Sequence, residues 1–400
     1  MATPKLRFKE FDNDWYLTSF QNLFTFKNGV NASKEQYGSG IKFINVLDII
    51  NNPNGIIYES IIGSVDITSK EINKNLVKYG DVLFQRSSET REEVGQSNVY
   101  LGEQLVVFGG FVIRGSAKQV YDPVFMNGLL KTDYLRDQIT QLSGGSTRFN
   151  IGQDSLNKVS AYLPSKEEQT KIASFLSAVD EKISQLTQKY ELLSQYKQGM
   201  MQKLFSQQIR FKADDGSEFG EWDQKELKEV AQINPKAKKL PENFIYIDLE
   251  SVEKGQLLFE KNITLSEAPS RAQRLLAKGD VLFQMVRPYQ QNNYYFNLDG
   301  QYVASTGYAQ IRTELNSKFI YYAIHEKEFL DEVMNRCTGT SYPAINSSDL
   351  STIEIGIPCL EEQMKISNFL SAIDQKIEKV TQQIEGTKQW KKGLLQQMFI

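Results

Sequence analysis

The sequence predicts a mixed α/β protein in which two pseudo-symmetric globular regions are separated by an antiparallel coiled coil of two long helices. Three observations lead there. The segment Leu163–Ser206 recurs as Ile357–Ile400, offset by 194 residues without a gap, and 21 of the 44 positions are identical. A repeat that closes each half of the chain implies one structural unit used twice. Within each copy, apolar residues fall alternately three and four apart, the rhythm of a left-handed coiled coil. Connectivity supplies the direction: the first helix leaves one globular region and feeds the other, while the second leaves that region in turn, so an antiparallel pair lets both helices span both regions.

The first globular region, residues 1–163, and the second, 207–357, share a frame of short markers. Arg7-Phe8-Lys9 precedes Trp15, and Arg210-Phe211-Lys212 precedes Trp222. The hexapeptide GDVLFQ occurs at Gly80–Gln85 and again at Gly279–Gln284, and FVIR ending at Arg114 answers AQIR ending at Arg312. GGSTRFNIGQDSLNKVSAYLP, from Gly144, and GTSYPAINSSDLSTIEIGIP, from Gly339, then lead into the two helices. Between these markers the halves diverge, as expected of two recognition modules with different targets. A helix is also expected over Lys318–Asn335.

The helical segments are 164–206 and 358–400. One seam row of the first is Leu176, Ile183, Tyr190, Lys197 and Leu204; the other is Ile172, Val179, Leu186, Leu193 and Met200. The second copy keeps the phase with Leu370, Ile377, Ile384, Lys391 and Met398 beside Ile366, Ile373, Val380, Thr387 and Leu394. Each helix should be ~60 Å long at 1.5 Å per residue. Lys197 and Lys391 occupy matching seam positions, either snorkelling out of a fraying region or setting register. Pro164 and Pro358 suit the boundary before each helix. Glu167-Glu168 and Glu361-Glu362 fall in the first turn, where the helix dipole favours acidic groups.

Composition narrows the chemistry. The net charge is -3, whereas a protein that binds nucleic acid by its own field is usually basic. Any such surface must be a local patch, or a partner must neutralise the phosphates. One histidine, His325, reads as satisfied or solvated, and two unmatched cysteines, Cys337 and Cys359, read as idle thiols. With those residues no common zinc constellation can be assembled. No Gly-Lys pair exists to form a phosphate-cradling loop. The amino-methyltransferase triplets Asn-Pro-Pro and Asp-Pro-Pro are also missing. An independent enzyme is therefore not expected. No apolar run reaches the ~18 residues of a membrane span, and the N-terminus lacks a signal-peptide stretch, so the expected location is cytoplasmic.

The duplicated order of motifs resembles the specificity subunit of type I restriction-modification systems. It is carried by Gly145-Ser146-Thr147, Ile151, Pro164 and Glu167–Ile183, and again by Gly339-Thr340-Ser341, Ile345, Pro358 and Glu361–Ile377. The two Gly-Asp-Val-Leu-Phe strands fit the same family, and the likeness covers nearly the whole chain. The resemblance implies two target-recognition domains, each reading one half of a split, asymmetric site in double-stranded DNA, with the helix pair setting the spacer. It implies no catalytic residue and no cofactor in this chain. Two S-adenosylmethionine-dependent adenine methyltransferase subunits would be the partners, with ATP- and magnesium-dependent restriction subunits joining that complex. Domains of ~150 residues would place the two reading surfaces roughly 40 to 50 Å apart, about 12 to 15 base pairs.

Base reading needs donors and acceptors on accessible loops, Arg for guanine and Asn or Gln for adenine. The loops that follow the two copies of GDVLFQ diverge immediately and are the expected reading edge. In the first half they supply Arg86, Arg91, Gln96 and Asn98; in the second, Arg287, Tyr289, Gln290 and Asn292. The loops after Gly145 and Gly339 add Arg148 and Tyr342, since small hydroxyl residues beside them could approach phosphate closely. For each residue a solvated loop is the alternative. Arg114 and Arg312 are either ion-pair partners or phosphate contacts, and Lys236, Lys238 and Lys239 either a backbone-contacting strip or a solvated run.

Overall fold

A computed structural model describes residues 3–237 and 239–400; Lys238 lies outside the described residues. The chain forms two compact units. One runs to Gln188 and includes Gln382–Ile400, and the other is Lys189–Thr381. Each therefore contains the beginning of one long helix and the end of the other, the helices being Lys166–Phe205 and Leu360–Met398.

In the first unit the central sheet has the order Phe24–Asn28, Val112–Ala117, Val82–Gln85, Ser97–Val99, with all neighbours antiparallel. The repeated strand is apolar from Val82 to Phe84 because both of its faces are covered, as buried strands require. Val82 and Phe84 point into the core that includes the helices, whereas Leu83 points into a second core with Ile44, Tyr100 and Phe108. A smaller sheet of Ser64–Val65, Tyr37–Ile44 and Val107–Phe108 closes that second core.

The second unit repeats the frame. Its central sheet runs Gln232–Ile233, Tyr308–Arg312, Val281–Gln284, Tyr294–Tyr295. Val281 and Phe283 face the helix side, and Leu282 faces a separate core with Ile247, Phe296 and Tyr308. Its second sheet has four strands where the first unit has three. The region expected as one helix over Lys318–Asn335 is two, Ser317–Ala323 and Lys327–Arg336. The break comes where Glu326, in extended backbone, caps the second helix by accepting from the Glu328 amide.

Every seam residue predicted from the heptads is buried or half-buried, from Ile172 to Leu193 and from Ile366 to Ile384. Within the first unit Leu176 and Val179 share a core with Leu394 and Met398; within the second Leu204 shares one with Ile366 and Leu370. Residue number rises along one helix as it falls along the other, the antiparallel sense expected. Aromatic rings lock the helix ends in the same way twice. Phe399 packs on Trp15 and Phe125, with ring centroids 6.5 and 5.2 Å apart, and Phe205 packs on Trp222 and Phe319 at 6.1 and 5.5 Å.

The first-turn glutamates do more than face the dipole. Glu168 accepts both prongs of Arg7 at 2.7 Å, and Glu362 accepts Arg210 at 3.1 and 2.8 Å plus the Trp222 indole at 3.1 Å. The opening Arg-Phe-Lys motif of each half thus ties its segment to the start of the following helix. Arg114 and Arg312 are also internal ion-pair partners. Arg114 lies 3.7 Å from Asp81, and Arg312 grips Asp280 with two bonds of 2.7 Å. Among the described residues no helix is long and apolar enough to cross a membrane.

Candidate nucleic-acid interface

Each loop expected to read bases begins at the last residue of the repeated strand. Gln284 is 2% exposed; its amide nitrogen donates to Gln290 Oε1 at 2.9 Å, and its oxygen accepts from the Asn292 amide at 3.0 Å. Gln85 makes the equivalent start, donating to the Ser87 carbonyl at 3.0 Å. These two glutamines organise the loops, although their recurrence in the repeated hexapeptide was the only sign of it in the sequence.

The second element is the glycine-led loop, and in both units the two loops lie side by side. In the first, Ser87–Ser88 pairs antiparallel with Phe149–Asn150, and the Ile151 amide donates to the Arg86 carbonyl at 3.0 Å. In the second, the Ile345 amide donates to the Met285 carbonyl at 3.0 Å and Val286 bridges Ala344. Gly145 at φ +122° and Gly339 at φ +89° turn these loops in the left-handed region. A side chain at 145 would also strike the Arg148 carbonyl at 2.1 Å.

The first-unit surface presents Arg86, Arg91 and Arg148, all exposed. The Arg91 guanidinium lies over the Phe149 ring at 5.2 Å, and Arg148 is 4.0 Å from Glu89. Exposed Glu89, Glu92 and Glu93 border the arginines, so the patch has little net charge of its own. Gln96 is half-buried, its carbonyl accepting from Gln85 at 2.7 Å. Asn98 does not belong to the surface. It is 0% exposed on the strand Ser97–Val99, and its amide nitrogen donates to the Ile49 and Asn52 carbonyls. The helix Val46–Asn51 packs over that strand and takes up the side chain that the sequence reading offered to DNA.

In the second unit Tyr289 and Tyr342 are 51% and 64% exposed, Gln290 is exposed and Arg287 half-buried. The Arg287 guanidinium lies 4.2 Å from the centre of the Tyr342 ring. Its backbone sits at φ +53°, held by a 2.7 Å bond from its amide to the Pro343 carbonyl. Asn292 is partly committed, because its oxygen accepts from the Lys254 amide at 3.0 Å to hold a left-handed turn. Lys236 and Lys239 are exposed. Phe149 was missed in the sequence; the signal available was an aromatic residue in both glycine-led loops.

His325 backs the loop after Gln284 and is satisfied internally. Its Nδ1 is 2.6 Å from the Tyr321 carbonyl, and its Nε2 3.3 Å from Asn293 Nδ2. Burial pulls its pKa down to about 4, so the ring is neutral, with Nδ1 donating and Nε2 accepting.

Two copies of the type I restriction modification DNA specificity domain match the chain, over residues 13–195 and 220–386. The specificity subunit of the type I restriction enzyme MjaVIII from Methanocaldococcus jannaschii is 26% identical, over 81% of this chain and 79% of that one. The crystal structure of the type I restriction-modification S subunit from M. genitalium superposes with a TM-score of 0.59 at 17% identity, covering 100% of this chain and 99% of the other. A chain from a solved type I assembly gives 0.58 at 18% identity, covering 97% and 98%. The repeated frame, the paired loops on each copy and the two matched domains together show that the chain belongs to the type I restriction-modification DNA specificity family.

Proposed function

We propose that this specificity subunit reads a bipartite, asymmetric sequence in double-stranded DNA, one half-site through each unit, and directs two adenine methyltransferase subunits, with restriction subunits, to that site. One observation carries the reading. Both units bring the same two loops together at the same place on a repeated frame, yet fill them with different side chains: Arg86, Arg91 and Arg148 in one, Arg287, Tyr289 and Tyr342 in the other. A shared frame with unlike reading edges fits an asymmetric site.

The chain is a recognition subunit and not itself an enzyme. S-adenosylmethionine, ATP and magnesium would be bound by its partners. Its net charge of -3 supports reliance on those partners for phosphate neutralisation. Methylome sequencing of cells with and without the gene tests the reading. The expected result is one split motif, methylated on adenine, that disappears with the gene. A continuous motif, or no change, overturns it.

A further inference from the structure

In each unit an arginine from the loop after the repeated strand lies across an aromatic ring from the glycine-led loop. Arg91 covers Phe149 and Arg287 covers Tyr342. The members are not aligned in sequence. Arg91 stands six residues after Gln85, but Arg287 stands three after Gln284; Phe149 is four after Gly145, but Tyr342 is three after Gly339. The two units thus build the same pair from unlike sequences.

Both pairs are held by backbone contacts between the two loops, with one member of each exposed. Phe149 is fixed by strand pairing with Ser88, and the neighbouring Asn150 Oδ1 accepts from Ser87 Oγ at 2.5 Å. Arg287 is anchored through its left-handed backbone to Pro343, the residue after Tyr342. Arg91 and Tyr342 remain exposed. A guanidinium resting on a ring has less rotamer freedom to lose on binding, and its planar fork of donors matches the O6 and N7 acceptors of guanine.

We propose that these arginine–aromatic pairs are the guanine-reading elements of the two units. Arg91 and Arg287 each donate a two-pronged hydrogen bond to a guanine in the major groove, and Phe149 and Tyr342 are positioning residues that hold the guanidinium. The proposal rests on the reading of one half-site per unit given above.

The test uses the full chain assembled with its modification subunits and a synthetic duplex carrying the methylated motif. Guanines are replaced one at a time by 7-deazaguanine, which lacks N7 but pairs normally. Wild type should lose about tenfold in affinity at one guanine of each half-site. Arg287→Met should abolish that sensitivity in one half-site and Arg91→Met in the other, because methionine keeps an apolar stem but carries no donor for N7, while general, salt-sensitive binding persists. Tyr342→Phe should keep the response, and Tyr342→Ala should weaken it in its own half-site only. Should the alanine variant fail to fold, the methionine variants still decide. A motif without guanine in either half, a wild-type-like response in the methionine variants, or a single variant that lowers the response equally in both half-sites would overturn the proposal. If wild type does not distinguish the motif from a scrambled duplex, the underlying reading fails instead.

Discussion

Lys197 Nζ lies 2.6 Å from Asp374 Oδ1 on the opposing helix. The same pair recurs as Lys391 and Asp180, each residue displaced by the 194-residue offset. Aromatic contacts obey the same exchange: Tyr196 meets Phe369 at 6.5 Å, and Trp390 meets Phe175 at 5.9 Å. The seam lysines are therefore paired rather than fraying, and the pairing favours the antiparallel register. Being partly exposed, each ion pair should contribute only about 1 kcal/mol. Lys197→Asp is expected to lower stability by about that amount, and adding Asp374→Lys to recover most of it. A double-mutant cycle by urea unfolding checks this, and additive losses would deny the pair a role in register.

The arginine forks on Glu168 and Glu362 should matter more. These carboxylates are 2% and 1% exposed, so removing the arginine strands a buried charge. Arg210→Ala should cost about 2 to 3 kcal/mol, the low end for a broken buried pair because the arginine is itself a quarter exposed. Denaturant unfolding gives the value. A loss under half a kilocalorie would place the stabilisation elsewhere.

Lys131 gives the first unit a pH dependence. Its half-buried side chain lies beside Lys391, and loss of water around the ammonium first, then that like charge, lowers its pKa to about 7. Its other surroundings are Asn127 Oδ1 at 3.0 Å, the Pro53 carbonyl and Asp180. The folded pKa lies below the ordinary 10.5, so between about pH 7 and 10 the unfolded chain holds the extra proton. Stability should accordingly rise with pH across that window, relative to Lys131→Met. Parallel melting curves for the two proteins would show that Lys131 is ordinary.

His325, the sole histidine, offers a direct titration. Wild type should show no imidazole titration above pH 5 by NMR. Because the unfolded ring takes its proton near 6.5 and the folded ring only near 4, stability should fall as pH drops through that interval. A midpoint near 6.5 in the folded protein would contradict the buried, neutral ring.

At the reading loops, Arg86→Ala should relax only the first half-site, by about 1 to 3 kcal/mol if its contact is two-pronged. Asn98→Ala should instead destabilise the first unit by about 1 to 3 kcal/mol, since the Ile49 and Asn52 carbonyls lose their donor. Motif sequencing alongside thermal unfolding separates the two effects. A change in motif with unaltered stability in Asn98→Ala would return that residue to the interface.

Lengthening both helices by a heptad, between Leu186 and Tyr190 and between Val380 and Ile384, keeps the apolar seams in phase and adds ~10 Å. The spacer in the methylated motif should grow by roughly two to four base pairs at 3.4 Å each. An active variant with an unchanged spacer would show that something other than these helices sets it.

The helices were legible because heptad periodicity reports burial directly, whereas partners across the seam require the register. Asn98 was misread for a similar reason. A polar residue after a turn looks solvated until a helix from elsewhere, Val46–Asn51, is laid over it. Phe149 was passed over because only strand pairing brings it against Arg91. Local pattern carries elements, and proximity between distant loops carries the site.

The twin Lys–Asp and aromatic pairs bear on how such chains change over generations. Either helix copy already presents the charges and rings that the other recognises. A genetic crossover inside the repeated segment would exchange a whole reading domain between two chains and still deliver matching halves of the seam. New specificities could then arise by shuffling, in one step, without a new core having to evolve.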